Sequence, residues 1–151
     1  MIWYCDSSAL VKRYVREAGS RWFRQQHGQH ELLTSELAIV EVAAALARRR
    51  RDGTISLFEF HRDRTQFARH IQSGQYALLP AHFDVIERAA RLAYRLPLTS
   101  YDAVHLATAF IYAPSISASG ASQFQFITAD EQLKRAVKAE GLQAENPNDH
   151  P

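Results

Sequence analysis

Apolar positions along the chain follow two rhythms. Short, nearly continuous apolar runs occur at residues 2–5, 31–34, 76–79, 124–128 and 142–144. Runs of this length bounded by turn residues read as buried strands. Longer segments lie between them, and one carries Val85, Ala89, Leu92 and Leu96 at helical spacing. Helix signals frame these segments. Ser7-Ser8 opens a helix expected to reach Arg16, and Ala18-Gly19-Ser20 breaks it before a second one, ending near His27 with Gly28 behind it. Thr34 or Ser35 caps a helix over 36–51, which Asp52-Gly53 ends. Ser56 followed by Glu59 is a capping box for a helix to Ser73. Further helices are expected over 81–96, from Thr99 or Ser100 to Tyr112, and over 131–139, with Gly141 beyond. The Ser/Ala/Gly-rich stretch from Pro114 to Gln123 reads as a loop, and residues 146–151 as a frayed tail.

Strands alternating with helices imply an α/β fold: a short parallel sheet of about five strands flanked by helices on both faces. Ligands of such sheets bind beyond the carboxyl ends of the strands, where strand order reverses. The chain has 151 residues, of which 46% are hydrophobic and 23% charged, which fits one globular domain over 1–145. Cys5 is the single cysteine, so neither an internal disulfide nor a cysteine zinc site is available. No targeting segment or apolar run of ~20 residues is visible, and a cytoplasmic protein without membrane contact is expected. The net charge is +2, but residues 48–70 hold seven arginines against three acids. That stripe suits either phosphate or the negative pole of a helix.

Acids change the picture. Asp6 follows the first strand directly and Asp130 lies just past the strand at 124–128, so both belong at the carboxyl edge of the sheet. Each could equally be a helix cap. Asp102 stands three residues after Thr99, again at capping-box spacing. Glu41 is different, being the only polar residue from Leu37 to Ala47. An all-apolar helix is expected to be buried on most faces, and a lone carboxylate in it costs several kcal/mol unless paired, protonated or metal-bound. No Lys or Arg stands one helical turn away, so a distant arginine or a cation must serve, and a cation is the expectation adopted. Converging carboxylates repel, and a hard divalent ion relieves that repulsion. No Gly-rich phosphate loop follows any expected strand.

Four segments together resemble the PIN domain, in particular the VapC-type toxin nucleases of prokaryotic toxin–antitoxin pairs. They are Cys-Asp-Ser-Ser-Ala-Leu-Val-Lys (5–12), Thr-Ser-Glu-Leu-Ala-Ile-Val-Glu-Val (34–42), Leu-Thr-Ser-Tyr-Asp-Ala-Val-His-Leu-Ala-Thr-Ala (98–109) and Phe-Ile-Thr-Ala-Asp-Glu-Gln-Leu (126–133). The resemblance spans roughly residues 2–144 and implies a three-layer PIN-like sandwich. It implies that Asp6, Glu41, Asp102 and Asp130 form an acidic metal site for Mg²⁺, with Mn²⁺ as an alternative. Ser8 and Thr128 fall at the family's hydroxyl positions, where they would orient the carboxylates. RNA as substrate, a homodimer and inhibition by a cognate antitoxin are implied as well.

In the expected chemistry the acid set hydrolyses RNA phosphodiester bonds with one or two metal ions. Lys12, Arg13, Arg48, Arg49, Arg50 and Arg51 are expected to contact phosphates. His105, three residues past Asp102, is read as a satisfied structural histidine rather than a base. Trp22, Phe23, Phe58, Phe60 and Phe67 are candidates for a partner-docking surface, with core packing the preferred role for most. Two other functions compete: a nuclease of the same fold acting on DNA or structured RNA outside a toxin pair, and a non-catalytic RNA-binding module.

Overall fold

A computed structural model describes residues 1–118 and 123–150, with side chains described up to Pro114 and again from Gln123. Its elements run β1 (Ile2–Cys5), α1 (Ser7–Val11), α2 (Ser20–Gln26), β2 (Glu31–Ser35), α3 (Ala38–Arg51), α4 (Leu57–Gln72), β3 (Ala77–Leu79), α5 (Phe83–Arg95), α6 (Ser100–Ala118), β4 (Phe124–Ile127), α7 (Glu131–Ala139) and β5 (Ala144–Glu145). Short 3-10 turns lie at His27–Gln29 and Pro147–Asp149.

The strands form a five-stranded parallel sheet in the order β3-β2-β1-β4-β5. All-parallel sheets are covered on both faces, and the side-chain alternation of β1 shows both covers. Ile2 and Tyr4 enter a core with Phe126, Val85, Leu92, Leu106 and Leu133, beneath α5, α6 and α7. Trp3 and Cys5 enter the opposite core with Leu10, Phe23, Val42, Leu46 and Phe67, beneath α1 to α4. The expected three-layer α/β architecture is therefore the observed one. The chain winds outward from β1 to β3 and then returns to place β4 on the other side of β1. The carboxyl ends of β1 and β4 thus meet at the point where strand order reverses, and the Asp6 amide donates to the Ile127 carbonyl at 3.1 Å.

Three expectations fail, each for a local reason. The helix after β1 stops at Val11 rather than Arg16, because the backbone tightens into i→i−3 turns, Lys12 to Ala9, Arg13 to Leu10 and Tyr14 to Val11. The expected loop from Pro114 is helical as far as Ala118; α6 carries Pro114 on its exposed side, and residues 119–122 lie outside the described residues. The described part of the tail, residues 146–150, is packed against the fold, and Pro151 lies outside the described residues. Asn146 is buried and caps the Pro147–Asp149 turn, whose backbone fits against Gly19 so closely that a Cβ there would collide with the Pro147 carbonyl. Gly19 also has φ +72°, a conformation only glycine adopts cheaply. Trp22 stacks on His150 and on Trp3 and closes the tail against α2.

Candidate active site

The site grows from the carboxyl end of β1. Asp6 is 3% exposed and caps α1, accepting the Ala9 amide at 2.9 Å on Oδ1. It does more than cap. The Ser8 hydroxyl donates to both of its oxygens, at 2.8 and 2.9 Å, and the Thr128 hydroxyl donates to Oδ2 at 2.7 Å. Ser8 in turn accepts the Ala129 amide, and Thr128 accepts the Asp130 amide. Two strand ends are stitched together through one buried carboxylate. Burial pushes the Asp6 carboxyl above its ordinary value, against the opposing pull of His105, Thr128, the Ala9 amide and Ser8. Both expected orienting hydroxyls, Ser8 and Thr128, therefore touch Asp6.

Glu41 faces the same region from α3. Its Oε1 accepts the Ser7 hydroxyl at 3.1 Å, and its Oε2 meets His105 Nε2 at 2.7 Å. Its partner is thus a histidine on α6, not a distant arginine. The surroundings also differ from expectation. Val40 is 60% exposed and Ile39, Ala43 and Ala44 are exposed too, so α3 buries only one stripe and turns an apolar face outward. The uninterrupted apolar stretch reflects two apolar faces, one of them facing solvent.

Asp102 lies half-buried in the first turn of α6 and accepts the Thr99 hydroxyl at 2.6 Å. Asp130 is exposed and caps α7 by accepting the Leu133 amide at 2.8 Å. Three of the four acids thus hold helix ends. Among the described residues, no three His, Cys, Asp or Glu side chains form a group able to hold a metal by themselves. Two hydrogen-bonded groups stand instead: Asp6 with Thr128 and the Asp130 backbone, and Glu41 with His105 and Ser7. Ser7 and Ser8 are adjacent in α1 and join the two groups.

A cleft of about 590 Å³ opens beside them, lined by Ser7, Ser8, Glu41, Arg48, Arg49 and Tyr101, among others. The expected basic residues divide. Arg48 and Arg49 line the cleft, although Arg49 is already paired with Glu17. Arg50 and Arg51 lie on the surface at the end of α3, without lining it. Arg13 is committed elsewhere, to the Tyr76 hydroxyl at 2.9 Å and to Gln75. Lys12 also lines the cleft, but it is 2% exposed and its ammonium is held by Glu17 and the Ala18 carbonyl. Of the aromatics considered for docking, Phe23 and Phe67 are core and Phe58 is exposed.

Residue patterning alone missed Tyr4 and the tertiary role of His105. The spacing from Asp102 to His105 puts both on one face of α6; the bond to Glu41 joins residues 64 apart in sequence and has no local signature.

The PIN domain model matches residues 3–139. No curated relative matches the chain. Among solved structures, a toxin–antitoxin complex from Klebsiella pneumoniae is 17% identical, with 97% of this chain and 98% of that chain covered and a TM-score of 0.64. VapC20 from Mycobacterium tuberculosis, described as a sarcin-ricin loop cleaving toxin, is 16% identical over 93% of this chain and 95% of that one, with a TM-score of 0.65. VapBC2 from Rickettsia felis, bound to a DNA fragment of its promoter, is 12% identical over 97% and 98%, with a TM-score of 0.60. No helix among the described residues is long and apolar enough to cross a membrane.

Proposed function

The chain belongs to the PIN domain family, a family of nucleases, and from that premise we propose that it is a Mg²⁺-dependent endoribonuclease, the toxin of a toxin–antitoxin pair. The observation that carries this reading is Asp6: a buried carboxylate at the strand-order reversal, fixed by Ser8, Thr128 and the Ala9 amide, and linked through Ser7-Ser8 to Glu41. Burying a charge there costs several kcal/mol that helix capping alone does not require.

The donor set fits the ion. Every acidic group is a hard oxygen donor, and magnesium characteristically takes one or two carboxylates and fills its remaining positions with water. Asp6, Glu41, Asp102 and Asp130 would hold Mg²⁺, or Mn²⁺ in its place, directly or through water, since no three of them converge on one point by themselves. When bound, the ion would acidify a water and offset charge on the scissile phosphate. Ser8 and Thr128 hold the Asp6 carboxylate in one orientation. Ser7 and His105 do the same for Glu41. Arg48 at the cleft wall offers a cation to the RNA backbone, which the acids alone would repel.

Two further parts of the proposal concern partners. The outward apolar face of α3 (Ile39, Val40, Ala43, Ala44) adjoins the cleft and offers a protein partner, the cognate antitoxin, a hydrophobic seat beside the acids. The toxin–antitoxin complexes of the same fold favour such a partner, and a homodimer working in the cytoplasm completes the proposal.

The test is to incubate pure protein with cellular RNA and Mg²⁺ and to sequence the new 5′ ends. Discrete new ends that vanish in EDTA are expected. No new ends, or the same ends in EDTA, would overturn the proposal; cleavage confined to DNA would redirect it.

A further inference from the structure

The chain spends a buried tyrosine and a buried histidine on holding one oxygen of one carboxylate. His105 is 1% exposed, on the inner face of α6. Its Nε2 lies 2.7 Å from Glu41 Oε2, and its Nδ1 lies 2.9 Å from the hydroxyl of Tyr4, which is fully buried in β1. An ionised carboxylate can only accept, so the proton on this contact sits on Nε2. With Nε2 so committed, the Tyr4 hydroxyl occupies the remaining ring nitrogen and stops the imidazole from turning about its own axis. Tyr4 is itself pinned edge-on to the His105 ring and against Phe126. The sequence thus runs from the middle of the sheet (β1), through α6, to α3 at the cleft.

We propose that Tyr4 and His105 are positioning residues that aim the Glu41 carboxylate into the cleft, through the relay Tyr4 Oη, His105 Nδ1, His105 Nε2 and Glu41 Oε2. Neither side chain lines the cleft, and both act through Glu41. Ser7 holds the other carboxylate oxygen, so both oxygens have a fixed donor. Glu41 is a flexible side chain on a helix whose outer face is exposed, and the relay removes the freedom this leaves it. A fixed carboxylate binds a divalent ion without first being ordered, which is the usual effect of partners behind a metal ligand.

This inference rests on the proposed metal site, and its test is arranged to separate the two. Tyr4→Phe removes one oxygen and keeps the ring packing. Mn²⁺ alone is titrated into the full-length protein by calorimetry, and RNA cleavage is measured separately. Tyr4→Phe is expected to weaken Mn²⁺ binding about 10-fold and to lower kcat by a similar factor. KM for RNA is expected to stay within about twofold, since no substrate contact is lost. His105→Gln, whose amide N–H can still reach Glu41, is expected to retain more Mn²⁺ affinity than His105→Leu. A folded Tyr4→Phe that binds Mn²⁺ as the parent does, or a parent that binds none, would overturn the relay. A parent that binds Mn²⁺ but cuts no RNA would overturn the nuclease reading and leave the relay to be judged on the Mn²⁺ arm.

Discussion

Two buried tyrosines, on opposite faces of the sheet, each meet a histidine. Tyr4 reaches His105 Nδ1 at 2.9 Å and Tyr14 reaches His70 Nδ1 at 2.8 Å. The local chemistry is the same and the surroundings are not. Beyond His105 stands Glu41, at the wall of the cleft. Tyr14 instead joins Tyr76, which accepts from Arg13, itself bonded to Gln75 at the entrance to β3. This second cluster ties the residues following α1 to α4 and to the start of the sheet edge. Burial holds the Tyr14 hydroxyl far above the usual phenol range, so it remains a neutral hydrogen-bonding group. A buried tyrosine–histidine pair is therefore not a functional mark in itself; what stands at its far end decides its role.

The contrast can be broken most sharply with the acids. Asp102→Asn and Glu41→Gln are expected to lower Mg²⁺-dependent RNA cleavage by more than about 100-fold, beyond the reach of outer partners alone, with circular dichroism unchanged. Equal activity in both variants would erase the difference between the two regions. A stability effect comes next. Lys12→Met removes a buried ammonium from Glu17 and the Ala18 carbonyl, and should cost about 1.5–3 kcal/mol in urea unfolding, the scale of charged hydrogen bonds. If Lys12 contacts RNA instead, the variant will unfold like the parent and bind RNA more weakly. Tyr14→Phe should cost about 1 kcal/mol and leave the cleavage rate unaltered, because no member of its cluster lines the cleft. The smallest effect is expected from Arg48→Ala, which should flatten the logarithmic dependence of RNA binding on salt by about 0.7, the contribution of one phosphate contact on a single strand.

Much of this arrangement is readable in the chain before any coordinates. The strand at 2–5 and the acid behind it, the capping box at Ser56 and Glu59, and the parallel α/β class follow from period and punctuation, and Asp6 falls at the sheet edge for the same reason. What escapes is tertiary. The run from Leu37 to Ala47 suggests burial all round, yet small alanines and an outward Val40 make it a helix with two apolar faces, and apolar content is the same on the buried face and the solvent-facing one. The packing of the tail depends on Gly19 and Trp22, more than a hundred residues away in sequence. Lys12 resembles a surface cation until Glu17 is seen folded back onto it. The acids are found by pattern, whereas their partners His105 and Tyr4 are found only by contact.

The central claim is that Asp6 is a metal-site carboxylate as well as the cap of α1. Asn caps a helix about as well as Asp but offers no charge to a cation. Cleavage of a single-stranded RNA by the parent and by Asp6→Asn, followed across a Mg²⁺ titration with thermal unfolding measured in parallel, separates the two roles. The expected result is a folded Asp6→Asn protein with no cleavage at any Mg²⁺ concentration. A folded Asp6→Asn protein that cuts RNA with the parent's Mg²⁺ dependence would contradict the claim and reduce Asp6 to a cap.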